Sequence, residues 1–259
     1  MIYFFVFLIA GCLLVIMLRE AFLNKVVVNH LLFAEYPENL GPVSIFFISD
    51  IHRRSISDEV VDSVKRKADI VVIGGDLTER GVPYERVKAN LEKLASIGPV
   101  YFVWGNNDSE VDTGKLSAIF ADFGIKVLDN KAVPIKADRE NHIFLMGVDD
   151  LYQDRARLDL ALQETEESSF KILVSHYPKI IHQISPENHI HLVLSGHTHG
   201  GQIHLLGYSP YKRGGLETVG KTVLLVSNGY GTTGIPLRLG APAECHLLVI
   251  GKEQGSGLR

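Results

Sequence analysis

An α/β domain carrying two sheets, entered through one long apolar helix, is the architecture expected of these 259 residues. Three patterns support it. Short apolar runs rich in β-branched and aromatic residues recur from Val26 onward. Amphipathic stretches of helical spacing separate the early runs, and a charge-free run opens the chain. Hydrophobic residues make up 46% and charged residues 22%, which excludes a disordered chain, a collagen-like fibre and a multi-span membrane protein.

The opening run, residues 2–18, reads IYFFVFLIAGCLLVIML and meets its first charges at Arg19 and Glu20. It just reaches across a bilayer core of ~30 Å. A cleaved signal peptide would want a basic start and a small-x-small cleavage site. Nothing basic precedes the run, and Leu18-Arg19-Glu20 is no such site. A core helix would not be apolar on every face. Residues 1–20 are therefore expected to form an uncleaved membrane anchor. Arg19 and Lys25 follow it, so the positive-inside rule puts the domain, residues 21–252, in the cytoplasm. Residues 253–259 are polar and Gly-rich, as in a frayed tail.

Runs 45–48, 70–73, 100–104, 172–174 and 192–194 read as buried strands, each bounded by Gly, Ser or Asp. Ile56, Val60, Val61 and Val64 share one helix face, and Val87, Leu91, Leu94 and Ala95 share another, with Pro83 near its start. This βαβαβ order predicts parallel strands with helices outside. Helical spacing returns over 155–163 and weakly after Pro178; after Gly200 the runs at 222–226 and 246–250 suggest an antiparallel meander. Lys+Arg number 26 against 30 Asp+Glu, net charge −4, so no general nucleic-acid binding is expected. Cys12 and Cys245 are the two cysteines, which excludes a disulfide scaffold and a cysteine zinc cluster.

The chemistry lies where the runs end. Run 45–48 leads through Ser49 to Asp50-Ile51-His52, and run 70–73 through Gly74-Gly75 to Asp76. Run 100–104 leads through Gly105 to Asn106-Asn107-Asp108, run 172–174 through Ser175 to His176, and run 192–194 through Ser195-Gly196 to His197-Thr198-His199. One Asp after a strand is ordinarily a turn or cap residue. Five strand tips that all carry metal-capable side chains point instead to the ligand position of α/β sheets. The set is His, Asp and Asn without Cys, which suits Mn, Fe, Zn or Mg held for catalysis, Mn being favoured. Asp50, His52, Asp76, Asn106, His176, His197 and His199 are too many for one tetrahedral ion and fit two. Two divalent ions beside Asp50 and Asp76 would leave a positive surplus that attracts phosphate and acidifies bound water to a pKa near ~7. The resulting bridging hydroxide would attack phosphorus.

These motifs, in this order over roughly residues 40–250, resemble the calcineurin-like metallophosphoesterase family. Gly196-His-Thr-His-Gly-Gly-Gln202 and Ser227-Asn-Gly-Tyr-Gly-Thr-Thr-Gly-Ile-Pro236 are similar to a membrane-linked bacterial branch of the YaeI, YkuE and YpbG type. The resemblance implies a two-sheet αββα sandwich. It implies one ion on Asp50, His52, Asp76 and His199, and a second on Asp76, Asn106, His176 and His197, with Asp76 bridging. The chain departs from the family where the usual Gly-Asn-His has a His that helps protonate the leaving group. Here Asn107 stands in its place, and an amide delivers no proton. Either phosphodiesters or anhydrides whose leaving groups need little help are then the expected substrates, or another group supplies the proton; weak activity on alkyl monoesters and better activity on aryl diesters is the expectation.

Other residues divide by context. Asp108 is expected to support its loop. Arg80, closing a Gly-Asp-Leu-Thr-Glu-Arg turn, and Gln202 are the substrate-contact candidates; Arg53 and Arg54 also flank ligand tips. Asn228, Gly229 and Arg238 suit either a substrate or a structural role. The expected function is a membrane-anchored binuclear phosphoesterase, a phosphodiesterase by preference. The alternatives are a pyrophosphohydrolase of a nucleotide-linked lipid such as UDP-diacylglucosamine, which would need an apolar rim (Leu205, Leu206, Tyr208) and a local basic face, or a silent scaffold. The complete ligand set argues against the last.

Overall fold

A computed structural model describes residues 1–253; the rest of the expected tail, 254–259, lies outside the described residues. Elements are numbered along the chain. The first sheet contains β1 (Lys25–Phe33), β2 (Val43–Ile48), β3 (Ile70–Ile73), β4 (Val100–Phe102), β5 (Lys126–Val127) and β12 (Glu244–Lys252), in the order β1-β12-β2-β3-β4-β5. The second contains β6 (Lys131–Ala137), β7 (His142–Gly147), β8 (Phe170–Val174), β9 (Ile190–Ser195), β10 (Gly215–Val219) and β11 (Thr222–Val226), in the order β10-β11-β9-β8-β7-β6. Strands β2, β3, β4 and β5 run parallel, as do β7, β8, β9 and β11.

Strand alternation sets the layers. Ile45 and Phe47 of β2 face the second sheet and pack with Val72, Leu145, Ile172 and Leu192. Phe46 and Ile48 point the other way, into a core shared with α2 (Asp58–Val64), α3 (Tyr84–Ala95) and α4 (Thr113–Asp122). A third core joins the outer face of the second sheet to α5 (Leu158–Gln163). The layers are therefore α, β, β, α. Ser57 Oγ caps α2 by accepting from Glu59 N at 3.2 Å, and Asp112 Oδ1 caps α4 by accepting from Lys115 N at 3.1 Å.

The C-terminal strands differ from a meander. β10 and β11 form an antiparallel hairpin, but β11 joins β9 in parallel, and β12 leaves for the first sheet. There it runs parallel to β1 and antiparallel to β2. The physical reason lies in β12 itself. Leu247 packs toward the helices while Leu248 and Ile250 pack between the sheets, so both faces need cover that a meander edge would not provide.

Helix α1 (Ile2–Ala21) is exposed along most of its length, and with mean hydropathy 2.5 it is long and apolar enough to cross a membrane. Only its end docks. Arg238 N donates to Met17 O at 3.1 Å, Ala243 N to Glu20 O at 2.9 Å, and Gly240 N to Glu20 Oε2 at 2.6 Å.

Candidate metal centre

The ends of β2, β3 and β4 meet those of β8 and β9 at one edge of the sandwich. Backbone contacts stitch the seam: His197 N donates to Asp50 Oδ1 at 3.0 Å, and His176 Nδ1–H donates to Gly74 O at 2.8 Å. The approach is close enough to need glycine. A Cβ on Gly105 would collide with Asp76 Oδ1, and one on Gly196 with Asp50 Oδ2. Asp50, His52, Asp76, His197 and His199 all take positive φ, between 50° and 70°. Left-handed backbone costs a non-glycine residue ~1 kcal/mol or more, so five strained ligand candidates mark a built site.

Two clusters of potential ligand atoms result. Those of Asp50, His52 and His199 lie within 4.8 Å of one another, as do those of Asp50, Asp76 and His176. Asp76 Oδ2 stands between the clusters, 3.2 Å from His176 Nε2 and 3.8 Å from His52 Nε2. Asp76 Oδ1 accepts from Asn107 N at 2.8 Å, which leaves Oδ2 alone to face both sides. Asn106 Oδ1 and His197 Nδ1 are 2.9 Å apart at the more open end.

The donor chemistry fits divalent ions. Asp50 Oδ2 is buried and has no hydrogen-bond partner among the described residues, a costly arrangement unless something binds there. The far nitrogens of two imidazoles are engaged. His52 Nδ1 faces Glu79 Oε2 at 3.0 Å, and His176 Nδ1 holds Gly74 O. Each therefore turns Nε2 into the centre, the orientation that a hydrogen bond at the other ring nitrogen gives a metal-bound histidine. Glu79 in turn pairs with Arg53, and its hydrogen bond with His52 helps hold its pKa low.

Burial opposes charge on His176, but Asp76 and then Asp50 raise it to about 10. Burial likewise opposes ionised Asp76, yet His176 and His52 keep its pKa below the usual carboxylate range. Burial and then His176 lower His197 to about 4; burial, His52 and Arg238 hold His199 well below its ordinary value.

Asp108 is fully buried; its Oδ2 accepts from Asp76 N at 2.8 Å and Gly105 N at 2.9 Å, and its Oδ1 from Thr78 N at 3.1 Å. It thus braces the loops of Asp76 and Gly105, and burial, then Asp76, pushes its pKa up to about 7. Asn107 accepts from Asn106 Nδ2 at 2.9 Å and donates to Glu110 Oε1 at 3.0 Å, so its amide orients the neighbouring ligand candidate. Arg80 is exposed, with its backbone N on Glu110 Oε2 at 3.1 Å. Both ends of the Gln202 amide are engaged: Nε2 donates to Thr233 O and Ile235 O, each at 3.1 Å, and Oε1 accepts from Thr233 N at 3.0 Å.

Two arginines turn inward. Arg54 donates to Phe22 O, Leu23 O and Asn24 Oδ1, each at 2.8 Å, and its guanidinium lies 3.8 Å over the Tyr230 ring. It clamps the end of α1 rather than facing phosphate. Arg238 is fully buried, donating to Asn228 O at 2.6 Å, Gly231 O at 2.7 Å and Ala241 O at 2.7 Å, with Nη2 3.2 Å from His199 Nδ1. Its role is positional. Glu79 is the residue the sequence reading overlooked; its signal was its place three residues after Asp76, inside the Gly-Asp-Leu-Thr-Glu-Arg turn.

An αββα sandwich with two N/O ligand clusters at converging strand ends is the frame of a metal-dependent phosphoester hydrolase. Residues 43–201 match the calcineurin-like phosphoesterase family, and the chain belongs to that family. It is similar to the uncharacterized protein YpbG of Bacillus subtilis, 42% identical over 86% of this chain and 88% of that one. It is 28% identical to phosphodiesterase YaeI of Escherichia coli over 83% of this chain and 84% of that one. A transmembrane protein with metallophosphoesterase domain from Bos taurus is 31% identical over 83% of this chain, which spans 54% of that protein.

Proposed function

We propose that this chain is a membrane-anchored phosphodiesterase with a cytoplasmic domain and two divalent ions, manganese the favoured one. Asp50, His52, Asp76 and His199 would hold the first ion; Asp76, Asn106, His176 and His197 the second, with Asp76 shared. The ions would supply Lewis-acid activation of water and neutralisation of charge on the phosphoryl oxygens. The chain's own groups do the rest. Glu79 and Gly74 O fix the imidazole tautomers, and Asp108 holds the loops of Asp76 and Gly105 in register. Arg80 is the exposed cation offered to substrate, and Gln202 acts through the 233–235 loop.

The observation that carries the diester preference is Asn107. Its amide is tied to Asn106 and Glu110 and has no proton to give an alkoxide leaving group. The YaeI relative, a phosphodiesterase by name, supports the same reading. Manganese-loaded protein should hydrolyse an aryl phosphodiester faster than glycerol phosphate, and chelation should abolish both activities. Faster turnover of the alkyl monoester would overturn the proposal.

A further inference from the structure

Two loops beyond the centre expose apolar side chains in one place. Leu206 is 92% and Tyr208 85% exposed, the most open large apolar residues among those described after α1, and Leu205 and Ile235 are also exposed. The loops form a unit: Gln202 grips the backbone of Thr233 and Ile235, and His204 N donates to Leu239 O at 2.8 Å. Leu206 (φ 51°) and Gly207 (φ 87°) form the tip of a tight turn that Leu205 and Tyr208 close with two backbone hydrogen bonds.

The unit is joined to the foot of α1. Arg238 N bonds Met17 O and Gly240 N bonds Glu20 Oε2, while residues 2–16 stand free of the domain. If α1 enters a bilayer at that level, the apolar loops meet the same surface. Farther along come Tyr211, Lys212 and Arg213, which with Lys179 and Thr198, the chain neighbour of His197 and His199, line a cleft of about 520 Å³. Apolar and aromatic tips followed by basic residues match the order of an anionic membrane surface, acyl boundary first and head groups next. Arg19 and Lys25 add cations at the same foot.

We propose that residues 203–213 and 233–237 seat in the bilayer interface beside α1, so that the cleft opens on the head-group layer and the phosphoester hydrolysed is carried by a lipid. The substrate half of this proposal rests on the phosphoesterase reading; the seating does not. Full-length Leu206→Trp protein would be reconstituted in phosphatidylcholine–phosphatidylglycerol vesicles with shallow brominated acyl chains. Trp104 is the single native indole and gives the background in the unsubstituted chain. Interfacial helices and loops sink ~5–10 Å, so the added emission should be quenched about twofold. Unquenched emission, as expected if water, a second copy or another protein covers the loops, overturns the seating.

The second arm compares a vesicle-borne phosphodiester with a soluble aryl diester. The double variant Leu205→Glu and Leu206→Glu should lower the lipid-to-soluble turnover ratio about tenfold; an unchanged ratio overturns the lipid substrate. Unsubstituted protein that hydrolyses neither substrate would sink the phosphoesterase reading, while the quenching result still decides the seating.

Discussion

Asp50, His52 and His199 lie in the interior with their neighbours already arranged, whereas Asn106 and His197 stand half-buried at the opening and engage each other. Around the deep trio, Glu79 faces His52, Arg238 abuts His199, and His197 N fixes Asp50. Around the open pair, Asn107 is the steadying contact. The difference separates two tasks. A ligand set whose orientation is settled by folding spends little free energy on binding and grips its ion. One that faces solvent can adapt, exchange and receive substrate.

The largest test removes the group common to both halves. Asp76→Ala deletes the carboxylate that looks toward His52 and His176. Both ions should be lost and diester turnover should fall by more than about a thousandfold. Metal analysis of purified protein beside the assay checks this, with Asp76→Asn as the isosteric control. Protein that keeps its metal and a tenth of its activity would show that the halves do not share Asp76.

A paired experiment then asks whether depth matters. Glu79→Gln weakens the partner of His52 and should reduce affinity for the deep ion by ~10–100-fold. Asn106→Ala should leave that ion in place and reduce the content to about one per chain. Equal losses in metal titrations of the two variants would remove the distinction between deep and open ends.

The same contrast marks what the sequence could tell. The ligand candidates were legible because each lies within a few positions of a small residue that ends a buried run, a pattern local in the chain. β2 and β3 were legible for the same reason, being continuous apolar runs. β1 was not: its burial alternates irregularly and its partner β12 lies over two hundred residues away, a pairing no local pattern encodes. Arg54 and Arg238 look like any other charged loop residues in sequence. Only the packed carbonyls of residues 21–24 and 228–241 turn them inward, and those carbonyls come together through tertiary structure alone. α4 lacked a sharp periodic signal, since its first turn is Thr-Gly-Lys.

Protons compete with metal for the deep nitrogens. Asp76 and Asp50 raise His176, and Glu79 raises His52 against burial. His176, raised to about 10, therefore carries its second proton at neutral pH when only carboxylates face it, and ligation must displace it. Manganese uptake should release protons into a weakly buffered solution at pH 7, and affinity should fall as pH is lowered. Uptake without proton release would mean that the ions avoid His176.

The smallest effect comes from a buried histidine without such carboxylates close by. His246 of β12 is 2% exposed, and its Nε2 has no hydrogen-bond partner among the described residues; Glu244 stays 3.8 Å away. Burial therefore wins and lowers its pKa to about 4. The unfolded chain, with an ordinary histidine near ~6.5, binds this proton more tightly than the folded one. Stability is then full above ~6.5 and declines as pH falls toward 4, by about 2 kcal/mol at pH 5. Urea unfolding of the full chain in detergent at pH 7 and pH 5 measures the decline. His246→Phe, which keeps the ring and removes the titration, should flatten that part of the profile. An equal acid loss in the variant would place the sensitivity elsewhere, in the other imidazoles that burial lowers, His191, His197 and His199.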